Sequence, residues 1–252
     1  MKNTLGVIPA RMASSRFPGK PLKKILNIPM LAHCYERALL SGVCDNLVIA
    51  TPDKEIIDWA TQFEIPSVLT SHSHKRATER AKETLDILTN DGLHYDLVLL
   101  LQGDEPQIFP EDIGNLKQAF SNNELEVVNL VFPLSDGGLE DPNVVKVALD
   151  KNLTIHFFTR SHIPHDCISG YRQLGMIGLT KKALNNYVSL PPTSLEEVES
   201  IDMMRLIEND FSIQGVLSTS PILGVDTQQD LKKVEKIMTN DKFVNLYKEK
   251  YI

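Results

Sequence analysis

Three cations crowd one short loop of this chain. Arg11, Arg16 and Lys20 sit within Gly6-Val7-Ile8-Pro9-Ala10-Arg11-Met12-Ala13-Ser14-Ser15-Arg16-Phe17-Pro18-Gly19-Lys20-Pro21-Leu22. The chain as a whole is acidic, with formal net charge -7 over 252 residues. A basic loop against that background, opened by a short apolar run, suits a polyphosphate. Fixed cations, hydroxyls and backbone N–H groups all stabilise phosphate oxygens. The small residues Ala13, Ser14, Ser15 and Gly19 let the backbone come close to such a guest. From charge alone, the same loop reads equally as solvated surface. It carries neither a G-x-x-x-x-G-K-[ST] nor a G-x-G-x-x-G signature, so the standard ATPase and dinucleotide readings do not apply.

An acidic partner comes later. Gln102-Gly103-Asp104-Glu105-Pro106 follows the apolar run at 97–101, and Gly224-Val225-Asp226-Thr227 closes another apolar segment. Mg²⁺ is usually held by one or two carboxylates plus substrate phosphates. Asp104 and Asp226 are therefore the candidate metal ligands. Each has a plainer reading: Asp104 as a turn residue, Asp226 as the N-cap of the last helix. His72 and His74 read as surface-loop histidines. His156, His162 and His165 lack the supporting acidic or Cys spacing of a zinc site. Cys34, Cys44 and Cys167 form no C-x-x-C and read as buried small hydrophobes.

The elements that must position these residues alternate in the first half. Strands are expected at 5–9, 47–51, 67–70 and 96–101, and helices at 29–40, 53–63 and 78–88, with Asp53 as a cap. The run at 96–101 suits a strand buried on both faces. Such alternation predicts an α/β fold, a mostly parallel sheet flanked by helices. In open sheets of this kind, ligands bind beyond the carboxyl ends of the strands, so the basic and acidic loops could face one cleft. The second half predicts strands at 127–132, 144–149, 155–158, 174–179 and 211–217. Helices are expected at 195–208 and 228–238. The turn Ser135-Asp136-Gly137-Gly138 is too short to separate domains, so a single domain, 1–252, with an inserted or appended β region is expected.

Composition narrows the function. Hydrophobic content of 42% and charged content of 23% are ordinary for a globular protein. A sequence pI near 5.5 argues against nucleic-acid binding. No apolar run is long enough to span a bilayer, and the start lacks a signal-peptide pattern. With odd, scattered cysteines, the cytoplasm is the expected location.

With these blocks in view, the chain resembles the CMP-Kdo synthetase (3-deoxy-manno-octulosonate cytidylyltransferase) family along nearly its whole length. The opening loop and Gln102-Gly103-Asp104-Glu105-Pro106 carry most of the likeness. Further matching blocks are Tyr35-Glu36-Arg37-Ala38, Pro142-Asn143-Val144-Val145-Lys146-Val147, Phe158-Thr159-Arg160-Ser161-His162-Ile163-Pro164 and Gly224-Val225-Asp226-Thr227. The resemblance implies a nucleotide-diphospho-sugar transferase fold with a dimer-forming β region in the second half. It implies transfer of CMP from CTP to a small anionic acceptor, a Kdo-like ulosonic acid, for surface polysaccharide synthesis. Arg11, Arg16 and Lys20 would hold the β- and γ-phosphates, and Asp104 and Asp226 would hold Mg²⁺. Pro9, Ala10, Gln102 and the 74–80 segment, including His74, Arg76, Thr78 and Arg80, would flank the nucleoside, with Ser14 also on the nucleotide. Arg11, Lys20, Asp104 and Asp226 would carry the catalysis. A homodimer is implied, and no nucleic-acid or membrane partner.

Departures from the family pattern cluster where the sugar is expected. Arg76 stands where the family has a serine, and it could contact phosphate, replace a sugar contact or point to solvent. Gln173 and Ile177 replace a His and a Tyr, and Asp202-Met203 replaces Glu-Gln. With Arg160, these are the acceptor-side positions. Buried hydrogen bonds left unmade cost about 1–3 kcal/mol each, so the pattern points to an intact CTP half and a changed acceptor. The rivals are a same-fold enzyme using another nucleotide or a phosphate or phosphonate acceptor, and a non-catalytic nucleotide-binding homologue.

Overall fold

The computed structural model describes residues 2–14, 16–135, 138–218 and 220–251. Ser15 of the basic loop and Asp136-Gly137 of the expected turn lie outside the described residues. The chain gathers into two compact units, residues 1–113 with 222–252, and residues 114–221.

The first unit is built on parallel strands. β1 (Thr4–Pro9) lies between β4 (Asn46–Thr51) and β6 (Leu97–Leu101), and β5 (Ser67–Leu69) pairs with β4. Val7 sits level with Val48 on one side and Leu100 on the other. All five residues of β6 are buried, which is why its sequence is an unbroken apolar run rather than an alternating one. Helices α1 (Met30–Leu40) and α3 (Ala77–Asn90) pack on β1, and α2 (Lys54–Gln62) packs on β4 and β5. The short hairpin β2 (Lys24–Ile25) and β3 (Ile28–Pro29) turns through Leu26 and Asn27, both at positive φ. The chain leaves through α4 (Pro110–Ala119), whose polar sequence concealed it.

The second unit is mostly antiparallel. Its strands run β10 (Ser169–Thr180), β7 (Val127–Ser135), β11 (Ile213–Leu217), β9 (Thr154–Thr159) and β8 (Lys146–Leu149), and β8 also bonds to β10. Only the β7–β11 pair is parallel among these. The expectation of a mostly parallel sheet therefore describes the first unit, and the β region is the second. α5 (Lys181–Ser189), unanticipated, follows β10 with Thr180 capping it. The single helix expected over 195–208 is two short ones, α6 (Ser194–Glu199) and α7 (Met204–Ile207). Ser200 breaks it in the left-handed region at φ 57°. The break lets Arg205 fold back on Glu196, Nε to Oε2 at 2.7 Å and Nη2 to Oε1 at 2.8 Å, both side chains buried.

The chain returns to the first unit with α8 (Gln228–Met238), as expected. Val225, Val234, Met238, Val244 and Tyr247 pack with Ile25, Ile28 and Met30, so the last segment seals the hairpin and the start of α1. Among the described residues no helix is long and apolar enough to cross a membrane.

Candidate active site

The basic loop leaves β1 at its carboxyl end and is fixed at two points. Ala10 donates its N–H to the Ala50 carbonyl at 3.0 Å, and Met12 donates to Asp53 Oδ2 at 2.7 Å. Asp53 stands at the N-cap of α2, but its carboxylate makes no cap bond there. Its acceptor serves the loop instead, which corrects the plain capping role expected of it. Gly19 then takes the left-handed conformation at φ 71°, where L side chains are strained, and donates its N–H to the Met12 carbonyl. The next residues, Lys20–Leu22, form a 3₁₀ turn, and the Lys20 side chain is only 12% exposed.

The opposite wall begins where β6 ends. A Cβ on Gly103 would come 2.9 Å from the Pro9 carbonyl oxygen and 3.2 Å from Leu31 Cδ1. Only glycine lets the two strand ends approach this closely. Asp104 follows, and its backbone carbonyl accepts the Val225 N–H at 2.9 Å. That bond sets Asp226 beside Asp104. Lys20 Nζ lies 2.8 Å from Asp104 Oδ2 and 3.4 Å from Asp226 Oδ1, and Arg16 Nη2 lies 3.0 Å from the same Asp226 oxygen. The alternative reading of Asp226 as a helix cap does not hold. Thr227 is the N-cap of α8, with its hydroxyl accepting from Asp230 N–H and Asp230 Oδ2 accepting from Thr227 N–H. Asp104 is likewise more than a turn residue, since its side chain holds Lys20.

The third wall is the N-terminus of α3. Glu79 Oε2 accepts the N–H groups of Lys75 and Arg76 at 3.0 and 3.2 Å, closing the first turn. Arg80, 4% exposed, donates to the Thr70 hydroxyl and to the Ser71 carbonyl. Burial, and then the nearby Arg11 guanidinium, pull the Arg80 pKa below its ordinary value. The carboxylates of Glu83 and Asp53 act on Arg80 in the opposite sense, so this corner holds both signs of charge. His74 Nε2 meets Glu83 Oε2 at 2.6 Å, and Glu83 also accepts the Ser71 N–H.

These walls enclose a cleft of about 290 Å³ in the first unit. Of the expected residues, Pro9, Ala10, Arg11, Ser14, Arg16, Lys20, His74, Arg76, Arg80, Gln102, Asp104 and Asp226 all line it. Thr78 does not, and its side chain is fully buried beneath α3. Lys75 and Ala77, within the expected 74–80 segment, also line the cleft, as do Pro21 and Gly103, which adjoin Lys20 and Asp104 and were not singled out as site residues. No group of three or more His, Cys, Asp or Glu side chains suited to a metal occurs among the described residues.

The acceptor-side candidates lie in the second unit. The Arg160 guanidinium donates to the carbonyls of Glu199, Pro142 and Asn143 and so ties backbone segments together. Gln173 Nε2 donates to Asn129 Oδ1 at 2.6 Å, beside an irregularity in β10 between Gln173 and Ile177. Ile177 and Met203 are core residues, 4% and 0% exposed, and Asp202 is half-buried. Of the thiols, Cys34 is fully buried, and burial raises its pKa. Cys44 and Cys167 are only half-buried, which corrects their reading as core residues.

Residues 5–216 match the family described as Cytidylyltransferase. The chain is 40% identical over 250 residues to a 3-deoxy-manno-octulosonate cytidylyltransferase of Leptospira interrogans serovar Lai, covering 97% of this chain and 100% of that one. It is 36% identical over 249 residues to the enzyme of the same name from Thermodesulfovibrio yellowstonii, covering 93% and 98%. A solved structure of CMP:2-keto-3-deoxy-manno-octonic acid synthetase complexed with CTP superposes with TM-score 0.85 at 32% identity, covering 95% of this chain and 99% of that one.

Proposed function

The chain belongs to the cytidylyltransferase family, and from that premise we propose that it transfers CMP from CTP to an ulosonic acid of the 3-deoxy-manno-octulosonate class, releasing pyrophosphate. The observation that carries this reading is the ammonium of Lys20 lying between Asp104 and Asp226 in a cleft otherwise rich in arginine.

The acceptor hydroxyl attacks the α-phosphorus in line, and pyrophosphate leaves. Such reactions depend mainly on positioning and charge neutralisation. Arg11, Arg16 and Lys20 supply cations to the β- and γ-phosphates as negative charge builds on the leaving group. The strand ends at Pro9-Ala10 and Gln102, with the start of α3, form the nucleoside side.

The two carboxylates fit Mg²⁺. Their oxygens converge on one nitrogen, and a hard cation takes one or two carboxylates with phosphate oxygens and water completing its shell. Bound there, Mg²⁺ would lower the repulsion between an anionic nucleophile and an anionic phosphate. The protein contributes the carboxylate pair, held by the Val225–Asp104 backbone bond.

Pyrophosphate release from CTP, Kdo and Mg²⁺ tests the proposal, and no release with any sugar acid sinks it. A second reading keeps CTP and changes the acceptor. It is favoured by Ile177 and Met203, whose buried apolar side chains offer no hydrogen bonds to sugar hydroxyls. Robust turnover at micromolar Kdo rules it out. A cytoplasmic homodimer and a role in lipopolysaccharide or capsule synthesis complete the reading. Light scattering at working concentration tests the dimer.

A further inference from the structure

The second unit carries a side-chain cluster that CMP transfer does not use. His162 Nδ1 lies 2.5 Å from Glu140 Oε1, and its Nε2 lies 3.4 Å from Cys167 Sγ and 3.2 Å from the Cys167 carbonyl oxygen. A carboxylate only accepts, so Nδ1 carries the proton and donates it to Glu140. The Nε2 lone pair then faces the thiol. A nucleophile, a base within reach and a third group orienting that base form the arrangement that activates cysteines. After Nε2 takes the thiol proton, its N–H has the Cys167 carbonyl as an acceptor and stays beside the sulfur. In the single chain the thiol is half-buried, the His162 side chain is 28% exposed, and the neighbouring Ile168 is 88% exposed, which leaves a small reactant a way in.

We propose that Cys167, with His162 as its base and Glu140 positioning that base, is a reactive thiol that forms mixed disulfides with low-mass disulfides. Cys167 Sγ attacks one sulfur of the reactant. A new S–S bond forms as the reactant's S–S bond breaks, and the leaving thiolate takes the proton held on His162 Nε2. One disulfide and one thiol become one disulfide and one thiol, with no further oxidant.

The other two cysteines are built-in references. Cys34 is fully buried in α1, and Cys44 is half-buried with its sulfur packed near Gly6. The reduced full-length protein is treated with hydroxyethyl disulfide at neutral pH, and peptide mass spectrometry follows each cysteine. A few per cent of an ordinary thiol is ionised at pH 7, so an activated one reacts about tenfold faster or more. Cys167 is expected to react about tenfold faster than Cys44, with Cys34 unmodified. His162→Gln removes that advantage and leaves the Cys44 rate unchanged. Glu140→Ala slows Cys167, while Glu140→Gln, which keeps an acceptor for Nδ1–H, restores most of the rate. Equal rates at Cys167 and Cys44, or no effect of His162→Gln in a folded protein, overturn the proposal. If His162→Gln opens the fold, Cys34 reacts too. The Glu140 pair then decides, and equal rates in its two variants reject the triad.

Discussion

The Val225 N–H and the Asp104 carbonyl, bonded at 2.9 Å, join two remote segments at the floor of the cleft. The bond uses only backbone atoms, so the side chain of Asp104 stays directed at Lys20, and Asp226 arrives next to it. Among the described residues the two carboxylates meet only the cations of the basic loop, and the half-exposed side chains leave the backbone joint intact when either charge is removed. Asp104→Asn and Asp226→Asn are therefore expected to fold normally and to lose about 10²–10³ in kcat. Pyrophosphate release beside circular dichroism checks this, and near wild-type turnover in either variant removes that residue from the mechanism.

Gly103, two residues past the end of β6, sits against the carboxyl end of β1 at Pro9. Gly103→Ala pushes a methyl group to 2.9 Å from the Pro9 carbonyl, a backbone atom that cannot swing aside. A loss of about 1–3 kcal/mol in urea unfolding is expected, with CTP affinity falling as Pro9 shifts. An unchanged midpoint would show that the strand ends have slack.

Asp53 holds the basic loop through Met12 N–H. Asp53→Ala leaves that donor without its partner and costs about 1–3 kcal/mol. Asp53→Asn keeps an oxygen in place and loses less. The KM for CTP is expected to rise more than kcat falls in the alanine variant. Steady-state kinetics that show a pure kcat loss contradict a positioning role.

Arg76 lines the cleft at the start of α3. Arg76→Ser is expected to weaken CTP binding about threefold at low ionic strength, in the range of a partly solvated charge contact. The difference shrinks as salt is raised. Thermal shift with CTP at two salt concentrations measures it. Equal shifts for the two proteins assign Arg76 to solvent.

His33 in α1 is fully buried, its Nε2–H donating to the Ile25 carbonyl and its Nδ1 accepting from the Tyr247 hydroxyl. Burial lowers its pKa from 6.5 to about 4. Between those values the unfolded chain binds more protons than the folded one. Stability therefore falls as pH drops from about 6.5 to 4, by about 3 kcal/mol in total from this group. Urea unfolding at pH 7 and pH 4.5 shows a shallower fall for His33→Gln. Identical pH slopes would shift the cause to another group.

Much of the site was legible because it rests on strand ends. The apolar runs of β1, β4 and β6 mark their own carboxyl ends, and the loops that follow are the cleft walls. The fate of single side chains was less legible. Asp53 and Asp226 both precede helices, so a cap is the reading of Asp53 and the plainer of the two readings of Asp226. Capping fell instead to Thr227 in α8, and the carboxylate of Asp53 turned to the loop, through contacts that no local pattern encodes. Thr78 sits inside a cleft-lining segment, yet helical spacing turns it inward. The break at Ser200 had no Gly or Pro to announce it. It goes with the pairing of Glu196 and Arg205 across it, a contact that no local pattern encodes. Nothing in the spacing of Glu140, His162 and Cys167 foretold their meeting, since His162 and Cys167 share the β9–β10 connection while Glu140 comes from the β7–β8 connection.

The first unit is discontinuous in sequence, and Asp226 belongs to its returning segment. During synthesis the basic loop, Gly103 and Asp104 emerge early, while their second carboxylate emerges only after residues 114–221 have been made. A nascent chain stalled in that interval carries a phosphate-attracting loop with half of its acidic counterpart. On the proposed mechanism, the carboxylate pair is complete only once Val225 has reached Asp104.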